Sequence, residues 1–216
     1  MKVLNLYACL GGNRYKWTDC EVTAVELDPE LARMYKERFP NDTVIVADAH
    51  QYLLDHFKEF DFIWSSPPCP THSRARYWNS SNYDTTTEAV YPDMKLYQEI
   101  LFLQHYYKTG KYVVENVIPF YEPLIPAQKR GRHLYWSNFV IPNNIGRDDI
   151  SGVVSQAKNE LQKLCKIHEI DISSYKGEQS MIKIARNLVD YEAGLTIFNT
   201  ARGIIKKNNL KQTELF

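Results

Sequence analysis

Apolar residues fall in short blocks along this chain, alternating between strand-like runs and helix-like stripes. Val3 to Ala8 is a mostly apolar run of strand length that stops at Cys9-Leu10-Gly11-Gly12, the pattern of a strand buried on both faces. Glu21 to Val25 reads as a second strand ending in Glu26-Leu27-Asp28-Pro29, where Asp28 suits a helix N-cap with Pro29 in the first turn. Leu31, Met34, Tyr35 and Phe39 then share one helical face. Thr43 to Ala47 predicts a third strand closed by Asp48, Leu53, Leu54 and Phe57 mark a helix, and Phe60 to Trp64 predicts a fourth strand. Leu96, Ile100, Leu103 and Tyr107 form an amphipathic stripe that ends near Gly110, and Tyr112 to Val114 predicts a fifth strand leading into Glu115-Asn116-Val117. His133 to Phe139 reads as another strand. Ile150 to Lys176 reads as a loop and a helix, with Val153, Val154, Ala157, Leu161 and Leu164 on its apolar side.

Strands that alternate with helices predict an α/β fold with a doubly wound sheet and helices on both faces. In such a sheet the successive strand ends (Gly11-Gly12, Glu26, Asp48 and Pro67-Pro68-Cys69) line up along one edge, where ligands bind. An acid at the tip of the second strand is placed to meet ribose hydroxyls. Paired prolines fix the backbone before Cys69, which suits a nucleophile aimed from a strand end. The polar stretch from Thr71 to Asp93 carries Arg74, Arg76, Tyr77 and Trp78. A loop that long inside a compact domain is expected to be functional.

Composition narrows the setting. The 216 residues suit a single domain, and 44% hydrophobic with 24% charged residues argues for a packed core over disorder. Lys+Arg and Asp+Glu balance at 26 each, so any footprint for nucleic acid must be local. Four cysteines without a CxxC pair predict neither a disulfide scaffold nor a metal site. With no leader-like opening and no apolar run near membrane length, the expectation is a cytoplasmic protein with no membrane contact. The tail from Arg202 to Lys211, with Lys206, Lys207 and Lys211, could meet phosphate, though a solvated helix end explains it slightly better.

Several of these pieces, in this order, resemble the cytosine carbon-5 DNA methyltransferases, in a compact form similar to phage and prophage enzymes. Leu6-Tyr7-Ala8-Cys9-Leu10-Gly11-Gly12 resembles the family's first motif, Glu26 its second and Asp48 its third. Pro67-Pro68-Cys69 matches the nucleophile motif, Glu115-Asn116-Val117 the Glu-Asn-Val motif, and Gln128-Lys129-Arg130-Gly131-Arg132 the Gln-x-Arg-x-Arg motif. Arg186-Asn187-Leu188-Val189-Asp190-Tyr191-Glu192 resembles the motif that closes the cofactor pocket. Two positions depart from the pattern: Cys9 stands where a glycine is usual, and Pro70 follows the cysteine where a glutamine is usual.

The resemblance implies a Rossmann-like methyltransferase sheet, mostly parallel with an antiparallel edge, in one S-adenosylmethionine-dependent domain over residues 1–216. Residues 141–183 would be a reduced insert where larger members carry a target-recognition domain. It implies methylation of cytosine carbon 5 in DNA through base flipping and a covalent adduct of Cys69. Glu115 would hold ring nitrogen 3, Arg130 or Arg132 would polarise the base carbonyl, and Asn116 would orient the cysteine loop. Cofactor contacts are implied at Tyr7, Ala8, Cys9, Gly11, Gly12, Glu26, Leu27, Asp48, Ala49, Pro67, Asn187 and Val189. Nucleic-acid contacts are implied at Ser73, Arg74, Arg76 and Gln128. The implied setting is phage or restriction-modification DNA methylation, with a protein partner as one possible source of target specificity. An RNA (transfer RNA) substrate and a catalytically silent regulatory module that keeps the fold are the alternatives.

Overall fold

The computed structural model describes residues 1–81, 88–147 and 159–204. Seven strands form one sheet in the order β3-β2-β1-β4-β5-β7-β6. They are β1 (Lys2–Leu6), β2 (Glu21–Glu26), β3 (Thr43–Val46), β4 (Phe62–Ser65), β5 (Lys111–Val117), β6 (Gln128–Arg130) and β7 (His133–Ser137). The first five run parallel, and β7 runs antiparallel to both β5 and β6. This is the mostly parallel sheet with an antiparallel edge expected from the sequence. From β1 the chain winds outward to β2 and β3, and from β4 it winds the other way. The carboxyl ends of β1 and β4 therefore diverge at the topological switch point, where a crevice opens.

Alternation along the strands supplies both faces of the sheet. Leu4, Leu6, Ile63 and Val114 pack on α2 (Ala49–His56) and α4 (Lys95–Tyr106). Val3, Phe62, Trp64 and Val113 face the other way, onto α7 (Tyr191–Ala201). Trp17 stacks on Phe198 with ring centroids 4.8 Å apart, and its indole N–H donates to the Gly194 carbonyl at 3.0 Å. Helix α1 (Pro29–Arg38) starts at Asp28, whose carboxylate accepts from the Glu30 and Leu31 N–H groups, as a cap should. Helices α5 (Glu160–His168) and α6 (Met181–Arg186) join Leu31 and Met34 in a smaller cluster. Among the described residues, no helix is long and apolar enough to cross a membrane.

Several expected boundaries move. Strand β1 stops at Leu6, because Tyr7 and Cys9 take left-handed backbone with φ of 56° and 46°. Phe60 lies before β4, following a 3₁₀ turn at Phe57–Glu59. Leu54 is exposed and does not face the core. Strand β5 does not stop at the acid: pairing with β7 carries it through Glu115 to Val117. The Thr71 to Asp93 stretch is not all loop, since α3 (Arg74–Ser81) starts directly after the cysteine turn. Strand β6 and the separate helices α6 and α7 were not foreseen. Val153, Val154, Ala157, Lys206, Lys207 and Lys211 lie outside the described residues.

Candidate active site

Strand ends and loops enclose a cleft of about 800 Å³ at the switch point, a size typical of small-molecule sites. Tyr7, Ala8, Cys9 and Gly12 after β1 line it, with Glu26, Leu27, Asp48 and Ala49 after β2 and β3. Pro67, Cys69 and Pro70 after β4, Glu115 and Asn116 on β5, Arg130 and Arg132 at the β6–β7 turn, and Asn187 and Val189 before α7 complete the wall. Residues nearly 190 positions apart in sequence thus share one cavity.

On the β1–β3 side the acids are held by the backbone. Glu26 accepts the Cys9 N–H on one carboxylate oxygen at 2.8 Å and the Asp28 N–H on the other at 3.0 Å. The Leu27 N–H also acts on this carboxylate. Burial raises the Glu26 pKa, and those backbone donors work against the rise. Asp48 is the N-cap of α2, accepting the Gln51 N–H at 3.0 Å, with Lys95 Nζ at 3.5 Å from its other oxygen. Its pKa is lowered chiefly by the Gln51 N–H. Asn187 is the C-cap residue of α6. A Cβ on Gly12 would stand 2.5 Å from the Val189 carbonyl, so only glycine lets these two segments close. Burial pushes the Cys9 thiol up to about 12. Gly11 packs on Tyr35 and Phe39 and is not part of the cleft wall.

On the β4–β7 side a proline turn presents the cysteine. The Cys69 carbonyl accepts the N–H groups of His72 and Ser73 at 3.0 and 3.1 Å. Pro70 takes the second position of that turn, where its fixed φ fits, so this departure from the family pattern is compatible with the local backbone. Asn116 Nδ2 donates to the Pro67 carbonyl at 2.9 Å and so ties the turn to β5. The Cys69 thiol is pushed up by burial first and by the Glu115 charge second, while Lys183 acts the other way. Glu115 is buried, with 8% of its side chain exposed, and its carboxylate makes no hydrogen bond among the described residues; His133 Nε2 lies 3.5 Å away.

The two arginines of the Gln-x-Arg-x-Arg stretch do different work. Arg130 spends its guanidinium on the carbonyls of Lys129, Ile141 and Pro142. Gly131, at φ 54°, permits the two-residue β6–β7 turn that carries Arg132, and the Arg132 side chain has no internal hydrogen bond among the described residues. Gln128, expected on nucleic acid, instead spends its amide on Ser137, Phe139 and Ile141. Ser73, Arg74 and Arg76 lie outside the cleft wall: Ser73 forms a bridge with Pro119, Arg74 donates to the Pro119 carbonyl, and Arg76 donates to the Glu88 carbonyl.

Three features were missed in the sequence. His133 and Lys183 line the cleft, and β-pairing places His133 on the same sheet face as Glu115. Glu99, fully buried on α4, accepts from Tyr7 Oη at 2.5 Å and Ser65 Oγ at 2.6 Å and contacts His50 Nδ1 at 3.0 Å. A lone acid beside the Leu96, Ile100 and Leu103 stripe was the available signal for Glu99.

The family model described as C-5 cytosine-specific DNA methylase matches residues 1–118. No curated protein matches the chain. Among solved structures, a mutant of DNMT2 from Spodoptera frugiperda is 24% identical, covering 54% of this chain and 35% of that one, with a TM-score of 0.39. A hypothetical protein of Thermus thermophilus is 19% identical over 63% of this chain and 73% of that one, with a TM-score of 0.41. A putative DNA modification methyltransferase encoded within an Escherichia coli prophage is 16% identical over 56% of this chain and 33% of that one, with a TM-score of 0.37. The chain thus spans about a third of the length of two of these three. Because the family model covers more than half of it, the chain belongs to the C-5 cytosine-specific DNA methylase family.

Proposed function

We propose that the chain is an S-adenosylmethionine-dependent DNA methyltransferase that modifies cytosine at carbon 5 through a covalent adduct of Cys69. One observation carries this reading. A cysteine on a rigid turn and a carboxylate with no hydrogen bond among the described residues, only His133 Nε2 at 3.5 Å, share one cleft, close enough for the Glu115 charge to act on the Cys69 thiol. A carboxylate that lines the cleft has acceptor capacity left for a ligand's donors. The protonated ring nitrogen and amino group of a flipped cytosine would supply two.

S-adenosylmethionine would supply the methyl group. The residues suit it: Glu26 lines the cleft as an acceptor for ribose hydroxyls, and Gly12 with Val189 closes the wall next to it. Tyr7, Ala8, Cys9, Leu27, Asp48, Ala49, Pro67 and Asn187 are the further contacts proposed.

In the chemistry proposed, the Cys69 thiolate adds to carbon 6 of the base. The ring's 5,6 π pair moves into the 4,5 bond, the 3,4 π pair moves onto ring nitrogen 3, and that nitrogen takes a proton from water that the Glu115 carboxylate then holds by a hydrogen bond. Carbon 5 becomes the nucleophile for the methyl group, with S-adenosylhomocysteine as the leaving group; a water molecule would then take the carbon 5 proton as the cysteine leaves as thiolate. Dividing one difficult step in this way is what covalent catalysis supplies. Arg132, free of internal hydrogen bonds among the described residues, is preferred over Arg130 for polarising the base carbonyl. Reaching the base costs about a few kcal/mol of unstacking. Residues 1–216 are read as one methyltransferase domain with 141–183 as a reduced insert, so target choice is short and relaxed or comes from a protein partner.

The test is transfer of tritiated methyl groups from S-adenosylmethionine to duplex DNA and to transfer RNA. Label in DNA, recovered as 5-methylcytosine, is expected. Label in transfer RNA alone overturns the DNA assignment, and label in neither leaves a silent module of the same fold.

A further inference from the structure

His72 is almost fully buried, three residues past Cys69 and outside the cleft wall. No step of the proposed chemistry uses it, yet it is tied at three atoms. Its N–H donates to the Cys69 carbonyl at 3.0 Å, its carbonyl accepts the Phe120 N–H at 3.1 Å, and its Nδ1 lies 2.6 Å from the Tyr121 hydroxyl. The first bond closes the nucleophile turn. The other two hold that turn to the segment that follows Glu115 and Asn116.

One arrangement of the hydroxyl protons satisfies this chain with a neutral ring. The Leu124 N–H donates to Tyr97 Oη, and the Tyr97 hydroxyl donates to Tyr121 Oη, each at 3.3 Å. In that arrangement the Tyr121 hydroxyl gives its own proton to His72 Nδ1 and the ring is neutral, with Nε2 buried and without a partner among the described residues. Burial also lowers the His72 pKa, while Asp93, before α4, opposes this. Asp93, Tyr97 and Tyr121 are the titratable groups that face the ring. Protonation would make Nδ1 a donor and reverse the last bond of the chain.

We propose that His72 is a positioning residue: with Tyr121 it pins the turn that carries Cys69 against the strand that carries Glu115. The inference rests on the reading of Cys69 as the nucleophile. A 1 Å misplacement of a reacting group costs on the order of 10²-fold in rate, so a turn held by one buried imidazole is sensitive to its loss. Releasing the pin lets the half-buried sulfur meet solvent and lose its aim, so thiol reactivity and catalysis move in opposite directions.

The experiment compares His72→Phe, His72→Asn and Tyr121→Phe in the full chain. Phe keeps ring volume without an acceptor, and Asn restores an acceptor near the Nδ1 position. Site-resolved iodoacetamide labelling, read by peptide mass spectrometry, follows Cys69, with Cys20 and Cys165 as internal references for folding. Methyl transfer from S-adenosylmethionine to DNA supplies kcat and KM. For His72→Phe and Tyr121→Phe, Cys69 labelling should rise about threefold or more while kcat falls about tenfold or more, with KM within about twofold. His72→Asn should recover most of both. Cys69 labelling and kcat within about twofold of wild type in both Phe variants would overturn the pin. A wild-type protein that methylates no nucleic acid would overturn the proposed function, and the labelling alone would then decide the pin.

Discussion

On the β1–β3 side of the cleft the acids are answered from within the protein, whereas on the β4–β7 side Glu115 and Arg132 are not, although Asn116 and Arg130 beside them are. Glu26 takes two backbone N–H groups, Asp48 caps a helix, and Gly12 abuts Val189. Across the cleft, the Glu115 carboxylate is buried without a hydrogen bond and the Arg132 side chain makes none among the described residues, while the Cys69 thiol is raised by burial. The first wall is shaped in advance for a ligand that must be bound in one orientation. In the proposed reading, the second wall would keep Glu115 and Arg132 for an arriving base, which is how binding energy can be reserved for the reacting state.

The largest effect should come from Glu115→Gln, which keeps shape and removes the carboxylate. We expect kcat to fall by about 10²- to 10⁴-fold, with S-adenosylhomocysteine affinity by calorimetry unchanged. A matching loss of affinity would mean that the two walls are not separate. Next is pH. Because burial holds the Cys69 pKa above the ordinary cysteine range, thiolate appears only as pH rises. The adduct-forming rate should therefore climb about tenfold per unit through the neutral range, as expected for a thiolate nucleophile; a flat profile would contradict a resting thiol. Gly12→Ala places a methyl 2.5 Å from the Val189 carbonyl. It should cost roughly 1–3 kcal/mol of stability and about tenfold or more in S-adenosylhomocysteine affinity, read by melting and calorimetry. The arginine pair gives the smallest effects and the sharpest contrast. Arg132→Ala should lower kcat about tenfold with an unchanged melting temperature. Arg130→Ala, which strips bonds to three backbone carbonyls, should cost about 1–3 kcal/mol of stability while kcat changes less.

The sequence made the sheet legible because each strand is a short apolar block closed by a glycine, an acid or a proline. The cap at Asp28 was readable for the same reason, since an Asp-Pro pair before an amphipathic stripe has one common use. What stayed hidden depends on pairing and packing across long separations. Glu115 looked like a strand end, yet it lies inside β5 because β7 extends the ladder past it. Arg130 and Arg132 are equivalent in sequence, and only the two-residue turn at Gly131 gives them different work. Gln128 looked available for nucleic acid, but three partners on or beyond β7 consume its amide. His72 carries no local signature, because its side-chain partner lies 49 residues away, and the lone acid on the α4 stripe says nothing of Glu99's partner Tyr7, 92 residues away.

The central claim is that Cys69 forms the covalent bond in a cleft whose other groups act on the same base. Incubation with S-adenosylmethionine and a duplex containing 5-fluorocytosine tests it directly, because fluorine blocks the step that would release the enzyme. Intact-mass and peptide mass spectrometry should find one stoichiometric adduct on Cys69, absent from Cys69→Ser. An adduct on Cys9, Cys20 or Cys165, or methyl transfer that survives Cys69→Ser, would contradict the account.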